Sequence, residues 1–168
     1  EAPYLAMVTD TGAVAYGSTT AGTLRLWAEM MENGLNVADI RDAISRTWTE
    51  ARMRLWGELL ETAQVIEGGK AAVGIVTNEM LARHGAGRED TEGFVEQLRK
   101  LRGVRVALLI VELREGEKMR SKISLRSAGN DDVRAVAVQF GGGGHKNAAG
   151  ASLPLPPDKT FIQVMPYV

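Results

Sequence analysis

The chain has 168 residues, of which 45% are apolar, and its 20 basic and 21 acidic side chains leave a net charge of −1. This balance argues against a protein that coats long nucleic acid, so any anion site has to be local. The chain has no cysteine, which excludes disulfides and zinc-thiolate sites, and it contains no apolar run of membrane-spanning length. A cytoplasmic protein with a real hydrophobic core fits these values best.

The N-terminal part begins Glu1-Ala2-Pro3, without Met or a leader pattern, so we expect a piece of a longer protein. The pattern predicts a short strand over residues 4–8, followed by Asp10 in a Thr-Asp-Thr-Gly turn. Helices are predicted from a Thr19 or Thr20 cap to Gly34, over residues 36–48, and over residues 49–65. On its own, Asp10 is more typical of a turn than of a site.

After Gly68-Gly69 the pattern changes to that of a separate α/β unit. Its predicted elements are, in chain order, a strand over residues 71–77, helices capped by Asn78 and by Asp90-Thr91, strands over residues 104–113 and 119–127, a helix from Asp132 to Phe140, and a last strand over residues 161–165 after three prolines.

A glycine run follows the predicted 132–140 helix: Gly141 to Gly144, continued by His145, Lys146 and Asn147. Backbone without Cβ atoms can approach a ligand closely and present several N–H groups to one phosphate. Walker and dinucleotide templates fit poorly, because the residue order differs and a helix precedes the glycines. The alternatives are a ligand loop and a long helix cap with a turn.

The predicted strand 119–127 has a polar face. Ile123 and Leu125 point one way, while Arg120, Lys122, Ser124 and Arg126 share the other side. This cationic face is either a solvated edge or part of an anion site. If the sheet brings Arg126 beside the glycines, the guanidinium and the backbone amides can share one anion. His84 has no visible partner, and the three tryptophans lie on helical faces where core packing is favoured.

Together, Thr9-Asp10-Thr11-Gly12, Ser124-Leu125-Arg126-Ser127 and the block from Phe140 to Gly150 resemble the DHH phosphoesterase superfamily, in its RecJ-like oligoribonuclease and pAp-phosphatase branch. The resemblance implies an α/β fold with two parts. Residues 1–56 would be a mostly helical remnant of the DHH domain with its connector. Residues 57–168 would be the DHH-associated domain, a mixed β-sheet flanked by helices.

The resemblance also implies site residues and cofactors. Asp10 resembles one ligand of a site for two divalent cations, usually Mn²⁺, and the residues that resemble the substrate grip are Arg126, Ser127, Gly142, Gly143, Gly144 and His145. The chain lacks an Asp-His-His triplet and the family's other ligand motifs, and one carboxylate cannot hold two cations. We therefore expect a substrate-binding part that is inactive alone.

The expected partners are short oligonucleotides or nucleotide phosphates and the missing DHH domain, with a homodimer possible and no membrane. Two other functions stay open at this point. One is a non-catalytic nucleic-acid-binding module, like the C-terminal domain of alanyl-tRNA synthetases. The other is a protein-interaction fragment with a structural glycine turn.

Overall fold

A computed structural model describes residues 19–39, 42, 47–116 and 118–168. The chain divides into two compact units, residues 1–48 and 49–168. The predicted strand over residues 4–8 and Asp10 lie outside the described residues. The domain boundary expected between residues 56 and 57 stays a prediction.

The described part of the first unit contains helix α1, Ala21–Glu32. Thr20 caps it, because its side chain accepts a hydrogen bond from the backbone N–H of Thr23 at 3.1 Å. Gly34 follows the helix with a φ of +90°, as expected for the predicted stop. Residues 37–39 and Asp42 are helical, whereas Thr47 and Trp48, which the predicted helix over residues 36–48 included, are not.

The second unit is a sheet of six strands in the order β1-β2-β3-β4-β6-β5, with β2 and β3 parallel and the other pairs antiparallel. The strands are β1 Gln64–Ile66, β2 Ala71–Val76, β3 Val106–Glu115, β4 Lys118–Ser127, β5 Gly143–His145 and β6 Ala148–Leu153. The helices are α2 Glu50–Thr62, α3 Asn78–His84, α4 Phe94–Leu98, α5 Val133–Gln139 and α6 Pro157–Val164, with short 3₁₀ turns at Glu67–Gly69, Glu89–Thr91 and Met165–Tyr167. The mixed α/β fold predicted from the sequence is confirmed.

Each face of the sheet has its own core. On the front face, α2, α3 and α4 pack over β2 and β3, and Leu55, Phe94 and Leu109 lie in this buried cluster. Trp56 meets Phe94 edge-on at 5.3 Å, so its helical position is a core position, as predicted. On the back face, α5 and α6 cover the side chains that alternate with the polar ones on β4.

The strand predicted over residues 161–165 is wrong, because these residues fall in α6 and the 3₁₀ turn after it. Pro157 occupies the first turn of α6, where its fixed φ favours a helix and no N–H is needed. Thr160 and Val164, one helical turn apart, are fully buried. Pro156 and Pro157 therefore lie at the start of a helix, and not in a break before a strand.

Smaller corrections concern caps and orientations. Thr77, not Asn78, caps α3, since its hydroxyl accepts from the N–H of Met80 at 3.1 Å. The helix expected after Asp90-Thr91 begins only at Phe94, because Glu89–Thr91 form a separate 3₁₀ turn. Leu101, predicted to face inward, is 44% exposed.

Candidate functional site

The candidate site lies where the front face of the sheet has no described helix above β6 and β5. Strand register aligns three rows across this area: Lys122 with Ser152, Ser124 with Gly150 and Gly143, and Arg126 with Ala148 and His145. Directly opposite residues of antiparallel strands share a face. The polar face predicted for β4 is therefore continuous with the glycine run.

We call this surface the glycine trough. It is a shallow cavity of about 590 Å³ whose floor is made of small residues. Its described lining is Lys122, Ile123, Ser124, Arg126, Gly141, Gly143, Ala148, Ala149, Gly150, Ala151 and Ser152. Two basic side chains and no described acidic side chain line it, so the trough favours an anion.

The glycine run first ends a helix and then forms a strand. Gly141 ends α5 with a φ of +72°, and the Gly142 N–H donates to the carbonyl of Ala137 at 2.9 Å. The chain then forms edge strand β5 against β6. The run is thus a helix cap and also part of the trough floor.

Two glycines are required by close approach of the backbone. A Cβ on Gly142 would lie 2.1 Å from the carbonyl oxygen of Gly150. A Cβ on Gly144, whose φ is +140°, would lie 2.5 Å from the carbonyl oxygen of Ala148. Gly143 differs, because nothing lies within 4 Å of the position that a Cβ would take there, and a side chain would enter the open front face.

Arg126 stands between the trough and α4. Its Nε donates to Glu96 Oε1 at 2.8 Å, and its Nη1 donates to the carbonyl of Leu125 at 3.0 Å. Nη2 makes no hydrogen bond to a described residue, and the side chain is 30% exposed. These contacts fix the plane of the guanidinium and leave donors for an anion.

His145 and Lys146 follow the trough at its end. His145 is exposed and lies two strands away from Arg126 in the same row, so about 10 Å separates the two backbones. The Lys146 Nζ donates to Asn130 Oδ1 at 3.3 Å. His145 is therefore not among the residues that line the trough, and it lies on the edge strand, on the far side of β6 from Arg126.

Ser127 belongs to a buried network below this end of the trough. It is 1% exposed, its hydroxyl donates to the carbonyl of Asp131 at 2.7 Å, and it accepts from Asn147 Nδ2 at 2.9 Å. The network ties β4 to the turn before β6. Contact of Ser127 with a substrate stays a prediction.

Asp131 adds a charge pair to the same network. The Arg105 guanidinium hydrogen-bonds its carboxylate, and this contact, with the positive charges of Arg105 and Lys146, holds the pKa of Asp131 below its usual range although burial opposes the shift. Asp131 therefore stays charged at neutral pH and keeps Arg105 in place.

A second cavity lies on the other side of β4, under the segment from Arg88 to Glu96. It measures about 660 Å³, and its described lining is Arg88, Glu89, Thr91, Glu92, Gly93, Val95, Glu96, Leu109, Val111, Leu113, Lys122, Ser124 and Arg126. We call it the apolar compartment after its floor of Val95, Leu109, Val111 and Leu113. Lys122, Ser124 and Arg126 line both cavities and form the wall between them.

Sequence patterns alone did not indicate a role for Glu96 or Asn147, or the partner of His84. Glu96 lies 30 residues before Arg126, and only the packing of α4 against β4 brings them together. Asn147 directly follows His145 and Lys146. Because asparagine favours turns, its place in a turn could have been predicted from the sequence. His84 Nε2 pairs with Glu58 Oε2 at 2.5 Å, and this contact links α3 to α2, away from the trough.

Asp10, the predicted metal ligand, lies outside the described residues. Among residues 19–39, 42, 47–116 and 118–168, no group of three acidic or histidine side chains is arranged to hold a metal ion. This part of the chain therefore does not fit a two-cation site. None of the helices found in these ranges has the length and apolar character needed to cross a membrane.

Comparisons with known proteins agree on the relationship. The model of the DHHA1 domain matches residues 68–163. The bifunctional oligoribonuclease and PAP phosphatase NrnA of Thermus thermophilus is 31% identical over 164 residues, which is 96% of this chain and 47% of the relative. NrnA of Bacillus subtilis is 26% identical over 150 residues, covering 89% of this chain and 46% of the relative.

A crystal structure of an exopolyphosphatase-related protein from Bacteroides fragilis has the same fold, with a TM-score of 0.85 and 28% identity. The alignment covers 96% of this chain and 46% of that one. The chain thus spans about half the length of the curated relatives and of the solved structure that it matches.

Proposed function

The chain belongs to the DHHA1 domain family, and from this relationship we propose that it is the substrate-binding part of a metal-dependent phosphoesterase acting on short oligonucleotides or on pAp. The support from relatives is that both curated matches are named as oligoribonucleases and PAP phosphatases. The observation that carries the proposal is the glycine trough, which two basic side chains line without a described carboxylate.

In this function the substrate phosphate lies on the glycine floor. Arg126 donates from its free Nη2, and the exposed ammonium of Lys122, which makes no ion pair with a described residue, adds charge. Gly142 and Gly144 let the backbone come close, and Gly143 leaves room above the floor. His145, on the edge strand in the row of Arg126, would approach the phosphate from the far side. Ser127 supports the turn from below.

Hydrolysis is assigned to the rest of the intact enzyme. Two divalent cations, Mn²⁺ in our proposal, would activate water and stabilise the displaced phosphate oxygens. Asp10 would supply one ligand and a DHH domain the others, with residues 1–56 forming its end. We therefore expect no Mn²⁺-dependent hydrolysis of a ribodinucleotide by this chain alone. The cytoplasmic location and the homodimer stay predictions.

The test is fluorescence anisotropy of a labelled ribodinucleotide phosphate without metal, with wild type, Arg126→Ala and Lys159→Ala. Lys159 is the matched control, an exposed cation on α6 that belongs to the back of the sheet. We expect saturable binding that weakens by about tenfold or more in Arg126→Ala, as for a lost charged hydrogen bond. Lys159→Ala should bind as wild type does.

A salt series separates the proposal from a long-RNA binder. A ligand with one or two phosphates in the trough should give a log–log slope of about −1, since each neutralised phosphate of a single strand contributes about −0.7. Binding of long RNA with a steep salt slope, together with no binding of the dinucleotide, would favour the non-catalytic nucleic-acid-binding module. Equal affinity of both variants, or no saturable binding, would refute the trough as the substrate grip.

A further inference from the structure

The apolar compartment has no role in the phosphate grip described above, although it shares a wall with it. We propose that this compartment binds the nucleoside of a nucleotide whose phosphate lies in the glycine trough. The proposal rests on the proposed function and deepens it, because it assigns the two halves of one ligand to two cavities on either side of β4.

The division of charge supports this assignment. The compartment is lined by three carboxylates, Glu89, Glu92 and Glu96, and three basic side chains, Arg88, Lys122 and Arg126. The trough is lined by the last two cations without a described carboxylate. A phosphate gains most on the trough side, whereas a neutral group with N–H and O–H donors meets acceptors in the compartment.

The shape and lining point the same way. A volume of about 660 Å³ lies in the range of small-molecule sites, and the floor offers Val95, Leu109 and Val111, which are 3%, 4% and 6% exposed. These side chains form a wall of the front core and are held by it. A planar base can pack on this floor, and the apolar surface that it removes from water belongs to Leu113, which is only partly buried.

The wall between the cavities is one strand wide. Lys122, Ser124 and Arg126 line both sides, so a group held by Arg126 in the trough is next to the compartment. The contact between Arg126 and Glu96 lies at this junction and fixes the guanidinium between them. One nucleotide can therefore place its phosphate and its base on opposite sides of the same side chains.

The first test compares AMP with ribose 5-phosphate on the wild-type chain, by methyl-detected NMR titration. We expect AMP to bind about tenfold tighter, the gain from removing roughly 60 Å² of apolar surface from water. AMP, but not ribose 5-phosphate, should shift the methyl signals of Leu109, Val111 and Leu113 through its ring current. Equal affinities, or AMP shifts confined to residues outside the compartment, would overturn the proposal.

A variant that fills the compartment gives a second test. Leu113→Trp should reduce the affinity for AMP about tenfold, to near that for ribose 5-phosphate, and lower the affinity for ribose 5-phosphate much less, since that ligand has no base to displace. Ile162→Trp is the control, since Ile162 is 70% exposed on α6. Undiminished AMP binding by a folded Leu113→Trp chain would overturn the nucleoside assignment alone. If neither AMP nor ribose 5-phosphate binds the wild-type chain, both the nucleoside assignment and the proposed function are overturned.

Discussion

Replacing Gly142 by alanine tests whether the trough depends on backbone contact. The added Cβ would lie 2.1 Å from the carbonyl oxygen of Gly150 and 2.6 Å from the Cβ of Ala151. Both distances are far below van der Waals contact, and the nearest atom is backbone, so β6 or the turn has to move. Overpacking of this kind costs about 1–3 kcal/mol. For a chain of this length, this corresponds to a fall in Tm of roughly 3–10 °C.

Gly143→Ala is the matched control, one residue along the chain. Nothing lies within 4 Å of its Cβ position, and its φ is not positive. We therefore expect its free energy of unfolding to stay within about 0.5 kcal/mol of wild type. Because the methyl group would enter the trough beside Ser124 and Gly150, Gly143→Ala should still weaken dinucleotide binding.

The assay is urea unfolding followed by circular dichroism, with dinucleotide anisotropy on the same samples. The expected pattern is a lower urea midpoint for Gly142→Ala, and an unchanged midpoint with weaker binding for Gly143→Ala. Equal stability of the two variants would show that the close approach of Gly142 to β6 is not as described. Normal binding by Gly143→Ala would show that the ligand does not lie on the glycine floor.

Two further predictions concern the frame of the site. Arg105 depresses the pKa of Asp131, so the charged carboxylate contributes stability above its unfolded pKa, near pH 4, and loses it as the pH falls through the lower folded value. Asp131→Asn should thus be less stable than wild type at pH 7, and the gap in urea midpoints should close below about pH 4; a gap independent of pH would contradict the charge pair. Phe94→Ala should lower the free energy of unfolding by about 3–5 kcal/mol, since Phe94 is fully buried against Trp56. A loss below about 1 kcal/mol in thermal unfolding would place Phe94 outside the front core.

Local pattern was sufficient for most elements of the second unit. Alternation on β4 separated the side chains of the back core from the polar face, because a strand has a period of two. The Asp132 cap was also readable, and its carboxylate accepts from the N–H groups of Arg134 and Ala135. The helix that begins at Pro157 could not be distinguished from a strand, since proline before an apolar run fits both a strand boundary and a helix start.

Only part of the candidate site could be predicted from the sequence, because some of its residues come together only through tertiary packing. The glycine run and Arg126 carry chemical types that suggest an anion, and they could be found without coordinates. The apolar compartment could not, because its wall combines α4, β3 and β4, and its floor residues resemble ordinary core residues in sequence. The Glu96 partner of Arg126 depends in the same way on tertiary packing.

The stability of the sheet and the charge of its open face are coupled through the register of β4. Ile123 and Leu125 are fully buried in the back core, and Leu125 lies opposite Ala149 of β6. A shift of the β4 register by one residue would expose Ile123 and Leu125. It would also bury the charged Lys122 and Arg126 in the back core, at a large desolvation cost. Packing on the back therefore fixes which cations face the trough. These two cations need no binding loop to hold them, because the energy that folds the sheet also orients the side chains that would meet the ligand.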